Sequence, residues 1–482
     1  MSLSTAFHRA QNIFSNASEQ LSTLVKNIEN SGNKSYVRRD IMTTQISNGI
    51  TGVAQHRTQD QNMFQKVLDT NSLAAGQQKI FESFESLREL MGADNSYQNS
   101  PSQHIAKLHD SLQAYANNSF TTLFGKKVVE DAEMLVNCLK ESSKEIQKIR
   151  KNADREIDQE IAHLRQFLSE FTAVNNEIKL ASSTMKSNHH ELLDRRDSLL
   201  QKISNIIGIN TITRNNDDTV IYTSDGTTLF ETVPRNVTFV MTESYNAAVA
   251  GKPVIIDGVM VSGSKDIHTV PKGKIKALLQ IRDGIASIFQ NQQDEMARGL
   301  VSIFSEKDPK GRLEDVAGLF VADAPKFPSG QLYKGISELI YVNPRYQSNP
   351  DFIRDGGSIS KDYIWNSQDA SSYSDLINHY NKSLSEGFVF DPTARIDNSV
   401  SLLEYGRNSI GWLEQNRSNS YDSHTRNQVL FNHVSESYSN KTGVNLQEEL
   451  SFLIQVEQSY NVSNKLMVSI NNMLNTLLEG VR

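Results

Sequence analysis

The chain has 482 residues, with 49 basic against 56 acidic side chains and a hydrophobic content of 38%. That length suits about three domains, and a mildly acidic balance with neither sign gathered into a block excludes the basic footprint of a nucleic-acid groove. No run of 18 apolar residues exists to span a bilayer, and the single cysteine, Cys138, excludes an internal disulfide and a cysteine-based zinc site.

All ten prolines lie outside residues 1–100, 102–233 and 393–482, so long continuous helices are expected there. In the first helix, Leu3, Phe7, Ala10, Phe14, Ala17, Leu21, Leu24 and Ile28 follow a four-three spacing that keeps one apolar seam on a single face. Gln11, Asn12, Ser15, Asn16 and Glu19 interrupt the place where a Sec signal would be apolar. Residues 30–35 read as a turn, and 36–58, with Thr, Ile, Val and Gly in mixed order, as irregular or weakly stranded. Helix is expected at about 60–92, and in pieces from 102 to 207. The clearest piece carries Ile157, Ile161, Leu164, Leu168, Phe171 and Ile178, with only Asn175 out of pattern. Cys138, in this helical stretch, reads as a small buried hydrophobe. Residues 182–188 read as a hinge, and the helix opening near Leu192 should end at Gly208 as a C-cap.

The period then changes from helical to two. Segments 220–223 and 227–230 flank Asp225-Gly226, and 254–256 and 259–261 flank Asp257-Gly258, so both read as hairpins. A helix at about 273–305 should kink at Asp283-Gly284. Residues 307–395, rich in Pro, Gly, Ser and Asp, read as an insert with packed loops. Helix returns near Ser399 and, apart from 440–443, continues to the end. There Leu446, Leu453, Tyr460, Met467 and Leu474 recur every seven residues, with Val456, Ile470 and Leu477 on the adjoining ridge. Asn445 is a good N-cap, and Glu448 completes a capping-box pattern.

A lone helix of about thirty residues is held mainly by packing of its seam. Either the two terminal helices zip to each other, or they pack against other copies. The fold class is α+β, mainly α. Residues 1–35 and 445–482 form a terminal coiled coil; 36–208, 272–306 and 396–444 a helical rod domain; 209–271 a β-rich segment; 307–395 the irregular insert. In this nested order the termini lie side by side and the middle projects.

A search for chemistry returns none. His104 and His109 are five apart, on different helix faces, and no HExxH, P-loop, GxGxxG or GxSxG is present. The adjacent His189 and His190 read as solvated hinge residues. Asp194 and Asp197, beside Arg195 and Arg196, read as surface ion pairs worth tenths of a kcal/mol each. No catalytic residue, cofactor or metal site is expected.

Gly443, Val444, Asn445, Leu446, Gln447, Glu448, Glu449 and Leu450, continuing through Leu453, Gln458, Ser459, Tyr460 and Leu466, resemble the carboxy-terminal signature of the bacterial flagellar rod, hook and hook-associated proteins. At the amino end Asn27, Ile28, Asn30, Tyr36, Arg38 and Arg39 resemble that family's Asn-Asn-Ile and Gly-Tyr-x-Arg stretches, with Lys26 and Ser35 as departures. Leu192, Leu193, Asp194, Arg195, Arg196, Asp197, Ser198, Leu199 and Leu200 are similar to the "LLDQRDxLL" helix of members at the hook–filament junction. Tyr341 to Pro344 are similar to their "VNP" element, and Leu279 to Asp283 to their "LxxRD" helix.

The resemblance implies a non-enzymatic structural adaptor joining hook to filament as a ring of copies, at the bacterial flagellum, outside the cell. It implies export by the flagellar type III route without a cleaved signal peptide. Implied partners are other copies, the hook protein, the next hook-associated protein, and an export chaperone of the FlgN kind on the carboxy-terminal helix. The assembly interface would then be the seam residues given above on both terminal helices. A flagellin or hook subunit is the alternative within the class; a secreted coiled-coil adhesin with a β domain is the alternative outside it.

Overall fold

The computed structural model describes residues 3–47, 50–92, 97–184, 189–323 and 330–480. Its long helices lie mostly in the proline-free tracts, where nothing removes a backbone donor, although those tracts also hold strands at 39–57 and 209–230. In chain order come α1 (Leu3–Glu29), a hairpin of β1 (Arg39–Ser47) and β2 (Ile50–Arg57), α2 (Gln61–Leu90), α3 (Pro101–Asn117), the 63-residue α4 (Thr122–Thr184) and α5 (His189–Ile206). Short strands follow: β3 (Ile209–Thr213), β4 (Thr219–Thr223), β5 (Thr228–Phe230), β6 (Val237–Thr238), β7 (Val254–Ile256) and β8 (Val259–Val261). After α6 (Lys274–Gln280) and α7 (Ala286–Ile303), small elements alternate: β9 (Phe320–Ala322), α8 (Ile336–Leu339), β10 (Ile340–Val342), α9 (Pro344–Ser348), α10 (Phe352–Asp355), α11 (Asp375–Ser385), β11 (Phe388–Val389) and β12 (Ser399–Val400). The chain closes with α12 (Leu402–Thr442) and α13 (Leu446–Gly480). Helix dominates, and the described sheets have two or three antiparallel strands, so the class is α+β, mainly α.

Several local expectations change. Of the two readings of residues 36–58, irregular or weakly stranded, the stranded one holds: β1 and β2 pair from Arg39↔Arg57 to Gln45↔Thr51, with a register shift between Gln45 and Ser47. Strand formation there is decided by the partner strand more than by composition. α4 runs on through Thr184, and the rest of the expected hinge, 185–188, lies outside the described residues. α5 opens at His189 rather than near Leu192. Gly208 is not a left-handed C-cap, because the chain passes directly into β3 and the Gly208 carbonyl accepts from Ser224 N at 2.8 Å. Asp283-Gly284 falls in a π turn, Ile281–Ile285, where a Cβ on Gly284 would stand 2.9 Å from the Ser264 carbonyl oxygen. Both expected hairpins form, and Asp257 and Gly258 take the paired positive φ values, 49° and 83°, of a tight hairpin turn.

The chain divides into two compact units, one of Met1–Ser72, Gln166–Arg235 and Gln428–Arg482, the other of Leu73–Arg165 and Asn236–Asn427. In the first, α1 pairs with α13, the end of α4 meets the β3–β4–β5 sheet, and Arg196 of α5 donates to the Asp217 carbonyl between β3 and β4. Phe171 of α4 meets Phe230 of β5 edge-on, with ring centroids 4.9 Å apart. Asn175, out of pattern in the apolar row, is fully buried: its Nδ2 donates to Asp218 at 2.8 Å and its Oδ1 accepts from Thr219 N. The polar interruption therefore anchors the loop between β3 and β4.

The second unit is organised around one apolar core. Ile105, Leu112, Leu135, Leu139, Leu300 and Phe304 share it with Phe320, Ile340, Tyr346, Ile377 and Tyr380 from the segment read as an insert. Asn343 caps α9 by accepting from Arg345 N, with Pro344 in the first turn, which is the local reason for that tripeptide. Residues 236–273 are strapped to helices by buried cations: Arg282, paired with Asp154, donates to the Lys252 carbonyl at 2.9 Å, and Arg150 donates to the carbonyls of Asn246 and Val249. Cys138 is buried, its thiol donates to the Asn99 carbonyl at 3.0 Å, and burial pushes its pKa up to about 12.

Candidate functional site

α1 and α13 run antiparallel. Asn27 meets Glu449 near one end of the pair, and Phe14 meets Tyr460 thirteen residues back along α1, with centroids 4.6 Å apart. The apolar spacing places one row of each helix on the other. Ala10 and Ala17 are buried, while Phe7, Phe14, Leu21, Leu24 and Ile28 are half-buried. On α13, Leu453, Val456, Tyr460, Met467, Ile470 and Leu474 are half-buried and Ser463 is buried. Leu446 and Leu477, in register with that row, stay 44% and 58% exposed. The side chain of Leu3 lies outside the described residues. Alongside the seam, Phe452, Leu466 and Met473 form one exposed heptad ridge, and Ile454 and Val468 another.

At the base of this pair the motif residues converge. Asn27 is buried and fully used: its Oδ1 accepts from Tyr36 OH at 2.8 Å and Arg39 N at 3.2 Å, and its Nδ2 donates to the Arg39 carbonyl and to Glu449, both at 3.0 Å. The Tyr36 ring lies under the Arg39 guanidinium, and burial pushes its hydroxyl up to about 12. Burial likewise raises the Glu449 carboxyl, while Asn27 and Arg38 draw it back. Arg38 donates its N–H to the Thr442 carbonyl at 2.8 Å and reaches Asp40, Glu448 and Glu449 with its guanidinium. Asn445 caps α13 by accepting from Gln447 N at 3.1 Å. Glu448 does not close a capping box; it points to Arg38, 3.4 Å away, because that cation stands beside the first turn. Gly443 fits the exit of α12, where a Cβ would come within 2.5 Å of the Ser439 carbonyl oxygen. Asn30 donates to the Lys26 carbonyl and closes the end of α1.

α5 supplies the acidic half of the base. Arg57 donates to Asp194 at 2.9 Å and to Asp197 at 2.8 Å, and Arg39 reaches Asp194 at 3.3 Å. Gln59 adds a bond to Asp197 and accepts from Tyr438. Asp197 is therefore buried and Asp194 mostly so, rather than surface ion pairs, because the hairpin covers the face of α5 that carries them. Burial raises the Asp194 carboxyl against the pull of Arg57 and Arg39. Leu193 packs into the core beside them. His189 and His190 are half-buried at the start of α5 rather than solvated, with His189 on Asp217 at 3.1 Å and His190 on the Gln55 carbonyl at 3.3 Å. Sequence reasoning missed Arg57, Gln59 and Tyr438, which lie in no motif. The only signal for Arg57 was its place at the end of a stretch read as irregular or weakly stranded.

Among the described residues no group of three or more His, Cys, Asp or Glu could hold a metal ion, and no helix is long and apolar enough to cross a membrane. The arrangement offers packing faces and a polar clasp, the equipment of a structural subunit. Residues 84–318, just under half of the chain, match the family model described as the flagellar hook-associated protein FlgK helical domain. A solved structure, the flagellar hook junction protein FlgK from Burkholderia pseudomallei, is similar at 18% identity and a TM-score of 0.41. That alignment covers 54% of this chain and 47% of that one, so the match spans about half of the solved protein's length. No curated protein matches.

Proposed function

We propose that the chain is a structural adaptor of the bacterial flagellum that joins hook to filament as a ring of copies. The observation that carries this reading is the apolar surplus on α13. The helix already covers one row on α1, yet Phe452, Ile454, Leu466, Val468 and Met473 remain exposed on both flanks. Single exposed apolar residues are ordinary, whereas two ridges along one helix are what a further packing partner would cover. The flagellar family match over 84–318 and the motif residues gathered at the helix base support the same role.

In this reading 1–35 and 445–482 are the inner-tube coil, 36–208, 272–306 and 396–444 the rod domain, 209–271 the β-rich segment, and 307–395 an insert. The seam residues of both helices, from Leu3 to Ile28 and from Leu446 to Leu477, then serve the assembled ring. Partners are neighbouring copies, the hook protein, the next hook-associated protein, and an export chaperone on α13; export follows the flagellar type III route. The role is structural, not enzymatic. In a strain lacking the gene, complete hooks without filaments and flagellin spilled into the medium are expected by electron microscopy and flagellin assay. Normal filaments would remove the protein from the flagellar axis, and missing hooks would move it to an earlier component.

A further inference from the structure

The second unit carries a cavity that uses no residue of the helix pair. Its volume is about 690 Å³, within the roughly 300–1,000 Å³ of small-molecule sites, and it lies in the segment read from the sequence as an insert. Phe352, Ile364 and Trp365 are half-buried in its lining. The indole of Trp365 is fixed: its Nε1 donates to the Lys307 carbonyl at 3.0 Å, and the His379 ring stacks on it with centroids 5.4 Å apart at 28°. An aromatic plane held in this way can take the apolar side of a ligand with little further loss of side-chain freedom.

The polar part of the lining is built, and only partly spent. Asn366 is 6% exposed and shapes the loop after Trp365: its Nδ2 donates to Asp355 and to the Ala370 carbonyl, and its Oδ1 accepts from Ala370 N. That loop holds Asp369 at φ 52°, a left-handed conformation that non-glycine residues keep at a cost and that is concentrated at ligand sites. Asp369 lines the cavity with Lys310, Lys361 and Ser367, all exposed, and none of these four side chains forms a hydrogen bond or ion pair among the described residues. With both signs of charge in the lining, a ligand carrying one sign meets repulsion as well as attraction. No described strand borders the cavity, so an extended peptide finds no edge to pair with. A hydroxyl satisfies both signs, because it donates to a carboxylate and accepts from an ammonium.

We propose that this cavity binds a neutral oligosaccharide, with one ring lying on Trp365 and its hydroxyls between Lys310, Lys361 and Asp369. A sugar ring joins an apolar C–H face to a hydroxylated edge, which matches a fixed aromatic plane bordered by unspent donors and acceptors. The adaptor role rests on α1 and α13, so either reading can fail without the other.

The chain has two tryptophans, and Trp412 does not line the cavity, so Trp412→Phe leaves Trp365 as the only indole reporter. The full chain is applied to an array of neutral, sialylated and sulfated glycans, and the strongest neutral binder is then titrated into Trp412→Phe while Trp365 emission is followed. At least one neutral glycan should bind and shift that emission to saturation. By calorimetry, Trp365→Phe should weaken binding at least tenfold. Lys361→Met and Asp369→Asn, both at exposed positions, should each weaken it severalfold with the melting temperature unchanged; asparagine also tolerates the left-handed φ. An array without neutral binders overturns the proposal, as does binding confined to charged glycans, which would be attraction to the lysines alone. A saturating titration that leaves Trp365 emission unmoved overturns it too. So does parental affinity in both Lys361→Met and Asp369→Asn, whether or not Trp365→Phe folds, because the glycan would then sit elsewhere.

Discussion

Arg57 is the residue on which the helix base turns, since it alone contacts both Asp194 and Asp197. Its pKa rises although burial pulls it down, because the two carboxylates outweigh that penalty. Removing one partner of a buried ion network leaves the remaining charges without compensation, typically at about 3–5 kcal/mol. Arg57→Met should therefore lower stability by about that amount in denaturant unfolding, and adding Asp194→Asn and Asp197→Asn should restore part of it. His190 makes a second residue-scale prediction. Burial first, then the Arg39 charge and to a lesser degree Arg57, hold its pKa below the ordinary 6.5, while the Gln55 carbonyl acts the other way. Below about pH 6.5 the unfolded chain takes a proton that the folded imidazole resists, so the unfolded state binds more protons and stability falls as pH drops. Melting temperatures at pH 7.5 and 5.5 should differ less in His190→Gln than in the parent chain.

At the scale of elements, the helix pair is closed by its small residues and left open by its large ones. Along the apolar row Ala10, Ala17 and Ser463 are buried, while Leu21, Leu24, Leu453, Met467 and Leu474 are half-buried. Half-burying an aliphatic side chain contributes about 1 kcal/mol, roughly half of the value for full burial. The pair is thus stable enough to form and weak enough to gain from further cover. Leu453→Asp and Met467→Asp place a charge in that row without touching the second unit's core. Each should leave most of the helical circular dichroism and the main unfolding transition in place while abolishing incorporation into flagella. A variant that incorporates like the parent would mean that this row is not the assembly interface.

For the whole molecule, what the sequence shows and what it hides follow from the range of the interactions. The seams of α1 and α13 and the α4 row were legible because a helix writes its buried face at intervals of three and four. The helix base was not, because Asn27 and Glu449 are separated by 422 positions and Arg57 and Asp194 by 137. Asp194 and Asp197 look like solvated neighbours until the hairpin covers them. Likewise the segment 307–395 offered no period to read, although Phe320, Ile340 and Tyr380 are fully buried.

The same contrast predicts how protection is distributed along the chain. Ile157, Leu164 and Ile178 of α4 and Ala297 and Leu300 of α7 are 0% exposed, so their helices can open only by breaking a core. α13 rests on α1 by one half-buried row, and its amides beyond Tyr460 lie past the clasp made by Asn27, Arg38 and Glu449. Opening free energy follows buried contact. Native-state hydrogen exchange should therefore show residues 464–480 exchanging at least tenfold faster than 290–303, with 446–456 slower than 464–480. In Asn27→Ala the buried Tyr36 hydroxyl and Arg39 amide lose their acceptor, at about 1–3 kcal/mol for each unmet group. The protection of 446–456 should then fall to that of the distal turns while 290–303 stays unchanged. Equal protection along α13 in the parent chain would show that the clasp adds nothing to the helix pair, and would place its stability in the apolar seam alone.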